Sequence, residues 1–301
     1  MGFQFTRSLN TDVLGKYLDE QIFFKNILKD VERGEVFFAI RDNQITFYYR
    51  GAQLCSIKGN ENYTPRINSA YLPIARTFTN EKKYLDEKEW KEIAGTEKNF
   101  SDIYKEIKLI IDESERPEGA QISSLYKFSP LSNQTDKNII LLDIESAFAE
   151  SSKHSSSGKK EVERFDTVFF DIKEKQLIVI EVKRLKDNRL QTDEIHEQMN
   201  SYKNLIKTEK DIIVSQFNNS IEYYNSLNKE YFEKNNKEIP MIDKSKPILL
   251  GLLITAFNSN SDKEIIRKLK NERKFPVFQM GNLNSAKSES LNNWIKNIFI
   301  K

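Results

Sequence analysis

Cysteine is almost absent. Cys55 is the only one in 301 residues, and histidine is limited to His154 and His196, so no internal disulfide can form and too few ligands remain for a zinc site. A reducing compartment fits this composition, and the expected location is the cytoplasm. Net charge is equally scarce: 47 Lys and Arg against 45 Asp and Glu leave +2. No global field therefore draws the chain to a polyanion, and any nucleic-acid contact has to come from local patches. Long apolar runs are missing too. The longest, residues 248–257, falls far short of the ~20 residues that a bilayer crossing needs. The N-terminus lacks the basic segment and apolar core of a signal peptide, so a soluble protein with no membrane partner is expected. There is no internal repeat. A chain of this length exceeds the usual single domain and is ample for a proper core.

What is present is concentrated in one stretch, RFDTVFFDIKEKQLIVIEVK. A strand-like run at 168–170 follows Asp166, residues 173–176 read as a turn, and a second apolar run at 177–180 leads into Glu181, Val182 and Lys183. β-Branched and aromatic residues bounded by polar ones mark both runs as strands. A hairpin here brings Asp166 beside Glu181. The alternation of a strand puts Glu181 and Lys183 on one face and Val182 on the other, leaving the Val182 carbonyl as a further oxygen donor. Two carboxylates and a carbonyl make an oxygen-rich pocket suited to Mg²⁺, with Mn²⁺ as its substitute.

The Glu-x-Lys triplet alone is weak, since it also occurs at Glu81, Glu89, Glu106 and Glu272. Only the copy at Glu181 ends an apolar strand with an acid at the start of the preceding one. The first three of the others lie in polar, helix-like stretches where a solvated charge pair suffices.

Through Asp166 and Glu181-Val182-Lys183 the chain resembles the PD-(D/E)XK, or restriction-endonuclease-like, nuclease superfamily. Gln198 and Tyr202, a Q-x-x-x-Y pattern on the helix predicted after the hairpin, resemble the RecB and lambda-exonuclease branch. Residues four apart share a helix face, so both can reach the strand ends. The competing reading is an ordinary amphipathic helix with Ile195, Met199, Tyr202 and Ile206 as its core stripe. The resemblance implies an αβββαβ core over roughly 136–257, and Mg²⁺-dependent hydrolysis of nucleic acid, DNA ahead of RNA, in phage defence, restriction or DNA repair. It implies metal ligands at Asp166, Glu181 and the Val182 carbonyl, and a catalytic role for Lys183. It also implies a further glutamate from a helix before the core strands, assigned to Glu145 with Asp143 as competitor. Phe165 stands where the superfamily name expects proline, and Asp171 is the substitute acid should Asp166 point away. A catalytically silent nuclease-like module that binds nucleic acid or a partner protein is the alternative from another class.

The rest of the chain frames this stretch. Residues 11–33 have helical spacing, stopped by Gly34. Residues 35–41, 44–50 and 53–57 read as an antiparallel meander with turns at 42–43 and 51–52. Its aromatic residues with Arg41 and Arg50 suit either a core sheet, the favoured reading, or a single-strand clamp. Residues 80–114 read as two amphipathic helices broken near Gly95. The expectation is an α+β N-terminal domain over 1–130, able to select substrate, bind a partner protein or form a homo-oligomer, and a nuclease-like α/β domain over 131–301.

Within the second domain, residues 136–149 are predicted helical, with a short buried strand as the alternative. The run 151–160 reads as a polar loop that includes His154. Arg184, Lys186 and Arg189 form a basic cluster suited to phosphates, and Thr192 is placed to cap the Gln198/Tyr202 helix. A separate tyrosine-bearing helix is expected at 221–235, a central strand at 248–257, a short strand at 276–280 and closing helices at 263–270 and 283–298.

Overall fold

Turn chemistry sets the N-terminal half. Gly34 (φ 71°) and the pair Arg50–Gly51 (φ 47° and 74°) take up left-handed backbone where strands begin or reverse. Two consecutive positive φ values give the tight hairpin turn that matches strand twist. Gly51 has a second reason to be glycine, because a Cβ there would stand 2.3 Å from the Gly119 Cα. A computed structural model describes residues 5–9, 22–41, 43–58, 65–73, 83–114, 117–133, 138–148, 163–231, 238–256, 264, 267 and 276–280. It is a mixed α/β structure with two five-stranded sheets, and the chain divides into two compact units: Arg7–Asn133, and a second running from Gln134 that also takes in Phe5 and Thr6.

In the first unit, α1 (Ile22–Glu32) precedes β1 (Val36–Arg41), β2 (Gln44–Tyr49), β3 (Ala52–Lys58), β4 (Pro65–Asn68) and β5 (Tyr84–Asp86), followed by α2 (Glu87–Ala94), α3 (Phe100–Glu113) and α4 (Pro117–Ser123). The strands pair antiparallel in chain order. Phe37, Phe38 and Phe47 are fully buried, and Arg50 is bound to Asp112 at 2.6 Å, so these meander side chains build a core sheet. Tyr84 and Leu85, within the stretch expected to be helical, instead form the edge strand β5. Gly95 ends α2 in a left-handed cap, and Asp86–Glu89 and Asn99–Asp102 form capping boxes on α2 and α3. These supply partners for helix N-H groups that have none inside the helix. Residues 11–21 of the expected first helix lie outside the described residues.

In the second unit, β6 (Ile139–Phe148), β7 (Glu163–Asp171) and β8 (Gln176–Arg184) form an antiparallel meander. The long helix α5 (Glu194–Tyr231) then crosses to β9 (Leu249–Thr255), which pairs parallel with β8 and with β10 (Val277–Met280). Parallel neighbours need such a crossover. The sheet order is β10-β9-β8-β7-β6, with the apolar runs of β8 and β9 at its centre.

Two expectations are corrected here. Residues 139–148 form a strand rather than a helix: every residue from Ile139 to Ile144 is buried, and a strand covered on both faces shows no alternation by which to recognise it. No helix of this unit precedes β6 among the described residues. The described part of the helix expected at 221–235, up to Tyr231, is the end of α5, which runs unbroken for 38 residues, because no Gly or Pro interrupts it and Ile213, Val214, Phe217, Ile221 and Tyr224 keep one buried stripe. The loop 151–160 and the expected closing helices lie outside the described residues.

Candidate active site

The site lies where the sheet forks. The β7–β8 ladder ends at Thr167–Ile180, while β7 continues to pair with β6 as far as Glu163–Phe148 and β8 continues beside β9 as far as Arg184–Thr255. At the fork the Asp166 side chain takes over from the backbone: its Oδ2 accepts the Val182 N–H at 2.9 Å. Asp166 and Glu181 therefore flank the notch, as the hairpin pattern predicts.

Lys183 fills the space between them. Its Nζ donates to Glu181 Oε1, to the Val182 carbonyl at 3.2 Å and to Asp166 Oδ2 at 3.4 Å. The Lys183 side chain is 3% exposed and Glu181 0%, whereas Asp166 keeps 21% and forms the solvent-facing edge.

The first turns of α5 close the other side. Gln198 Nε2 donates to Glu181 Oε1 at 2.8 Å and to the Tyr202 hydroxyl at 2.8 Å. Tyr202 Oη contacts the Arg164 carbonyl and stands 3.2 Å from Glu181 Oε2. A phenol has one proton, and the Arg164 carbonyl and an ionised Glu181 can both only accept, so the hydroxyl serves one of them at a time. When it serves Arg164, the contact with Glu181 Oε2 is satisfied by a proton on Glu181. Burial acts in the same direction: it pushes the Glu181 pKa up to about 8, helped by the Asp166 charge and opposed by Lys183. Burial, followed by the charges of Glu181 and Asp166, likewise raises the Tyr202 phenol.

Phe165, the residue in the place of the expected proline, is fully buried and packs at 4.5 Å on Phe148 and edge-on at 4.9 Å against Tyr202. It thus fixes the tyrosine ring. Neither the Arg164 carbonyl nor this packing has a signal in the sequence, since any residue offers a carbonyl and aromatic side chains abound.

The remaining predicted residues are not gathered here. Glu145 lies on β6 between Ile144 and Ser146, which pair with Thr167 and Phe165, so its backbone stands across from Asp166. It adopts left-handed φ 47°, and its carboxylate meets Arg164 Nη1 at 3.3 Å. Asp143 accepts from its neighbours, the Ile144 N–H and the Ser146 hydroxyl. Asp171 stands at the far end of β7 and accepts the Glu174 N–H at 2.9 Å across the hairpin turn, which removes it as substitute acid. Arg189 is held by Asp187 in a bidentate pair at 3.0 and 2.6 Å, and these bonds hold the Asp187 carboxyl below the usual range. Arg184 and Arg189 are half-buried and Lys186 exposed, and the Arg189 side chain keeps 41% exposure beside Asp187. His154 lies outside the described residues.

The donor set fits a hard divalent cation: two carboxylates and one carbonyl, all oxygen, already converge on a single positive atom, Lys183 Nζ. Among the described residues no group of three or more His, Cys, Asp or Glu is placed to hold a metal ion. No helix of the described residues is long and apolar enough to cross a membrane. No family model, no curated protein and no solved structure matches the chain.

Proposed function

We propose that this chain is a metal-dependent nuclease of the PD-(D/E)XK kind, hydrolysing nucleic-acid phosphodiester bonds, DNA ahead of RNA. The observation that carries the reading is the convergence of Asp166, Glu181, the Val182 carbonyl, Lys183, Gln198 and Tyr202 on one notch. The order of β6, β7, β8, α5 and β9, with β8 and β9 parallel, supports a restriction-endonuclease-like core.

Asp166, Glu181 and the Val182 carbonyl are the groups that would hold Mg²⁺. When bound, the ion supplies Lewis-acid polarisation of the scissile phosphate and a lower pKa for an attacking water. Gln198 and Tyr202 hold the Glu181 carboxylate in one orientation from the helix side, so that its oxygens need no rearrangement. Lys183 carries the positive charge of the notch on a flexible stem, suited to orienting the water or stabilising charge that develops on phosphorus. Lys186, exposed just beyond β8, suits a backbone phosphate.

The test is cleavage of labelled single- and double-stranded DNA and RNA with Mg²⁺, Mn²⁺ or EDTA, comparing wild type with Lys183→Ala and Asp166→Ala. Cutting that needs the metal and disappears in both variants is the expected result. Binding of nucleic acid without cutting under any metal would replace the reading with a silent nuclease-like module.

A further inference from the structure

The ammonium of Lys183 stands where a bound cation is expected. Its Nζ contacts Glu181 Oε1 and lies 3.2 Å from the Val182 carbonyl and 3.4 Å from Asp166 Oδ2. Those are the three ligands assigned above to a divalent ion. An amine touching all of them occupies their common focus and uses the lone pairs that an ion would need. With a side chain 3% exposed, it has no solvent gap beside it for a second cation, and two like charges that close repel strongly in a protein interior.

We infer that Lys183 is the plug of its own metal site: it substitutes for the divalent ion, and ion entry requires its ammonium to leave the three oxygens. The inference rests on the metal-dependent reading of the notch. Its chemistry is an exchange of one cation for another, with no bond made or broken. A compact charge on a four-carbon stem can make that move while the strand stays in place, and Asp166 marks the side open to water. A phosphate of the substrate offers the displaced ammonium a new anionic partner, so ion binding and nucleic-acid binding reinforce one another.

The deciding measurement is calorimetric titration of the full chain with Mn²⁺, without nucleic acid, for wild type, Lys183→Met, Lys183→Gln and Asp166→Asn, with melting curves to show that each is folded. Two neutral replacements guard against one of them failing to fold. Removal of the plug is expected to tighten Mn²⁺ binding about tenfold or more, a difference that titration resolves easily, while Asp166→Asn abolishes it. If both lysine variants bind no more tightly than wild type and Asp166→Asn still abolishes binding, the plug is overturned and the metal site stands. If no protein in the set binds Mn²⁺, the plug and the metal-dependent reading are overturned together.

Discussion

Each unit holds a lysine between two carboxylates, and the two arrangements differ in what surrounds them. In the first unit, Lys108 Nζ lies 2.9 Å from Asp30 Oδ2 and 3.1 Å from Glu35 Oε2, with the Tyr49 ring 4.5 Å away. Tyr104 donates to the same Asp30 oxygen at 2.8 Å. Glu35 remains 46% exposed, so water shares the load. In the second unit Lys183 and Glu181 are shut in and Asp166 alone faces solvent.

The titration behaviour follows from the surroundings. Burial depresses the Lys108 pKa, but its bonds to Asp30 and Glu35 outweigh that and leave it raised, the mark of a pair that holds its charge. Burial pushes Glu181 the other way, towards neutrality. The first cluster joins α1, the residue just before β1, and α3; the second carries a carboxylate that the fold alone does not favour as an ion. A carboxylate whose ionised form burial disfavours is more typical of functional sites than of structural ion pairs.

The strongest way to break the comparison is through turnover. Asp166→Asn or Lys183→Met is expected to reduce metal-dependent cleavage about 100-fold or more, as loss of a single electrostatic group does in such sites. Lys108→Met is expected to leave the rate per folded molecule unchanged. Equal losses in both lysine variants, in the cleavage assay, would erase the distinction.

Stability should show the reverse order. Lys108→Met leaves Asp30 with the Tyr104 hydroxyl and, farther off, Arg33 at 3.7 Å, and is expected to cost about 1–3 kcal/mol in urea unfolding. Lys183→Met should cost less, because Glu181 can take up a proton and lose its charge. A larger loss at Lys183 than at Lys108 would contradict the account of Glu181.

The pH dependence sharpens the contrast. Glu181 has an ordinary value of 4.5 and is pushed up to about 8 in the fold. Between those values the folded state holds a proton that the unfolded state has lost, so stability falls as pH rises and levels off above about 8. Unfolding with EDTA present, at intervals across this range, should show the decline in wild type and its disappearance in Glu181→Gln. Lys108, raised above 10.5, contributes fully throughout that window, so Lys108→Met should keep the slope. The smallest effect is expected for Tyr202→Phe: about 1 kcal/mol in unfolding for the lost bond to the Arg164 carbonyl, with the Phe165 packing retained.

Legibility in the sequence tracked locality. The turn at Gly51, the stop at Gly34 and the break at Gly95 could be read because each depends on the conformation of one or two residues. The β7–β8 hairpin and the shared helix face of Gln198 and Tyr202 could be read because their periods are short. β6 was misread, since burial on both faces is a property of what covers a strand and leaves no alternation in the strand itself. The Asp187–Arg189 pair was illegible for a similar reason: nothing in the sequence tells whether Asp187 turns back on Arg189.

By itself, then, the chain determined which residues could lie on which face: Asp166 beside Glu181, Lys183 one step beyond on the same side, Gln198 four residues from Tyr202. Backbone periodicity decides that much without any neighbour. Tertiary structure alone decided that β7 leaves β8 at Asp166, that Glu145 turns to Arg164, and that the ammonium of Lys183 lies among three oxygens. Those outcomes depend on which strand pairs with which and on what is excluded from water, and both are settled only when distant segments pack.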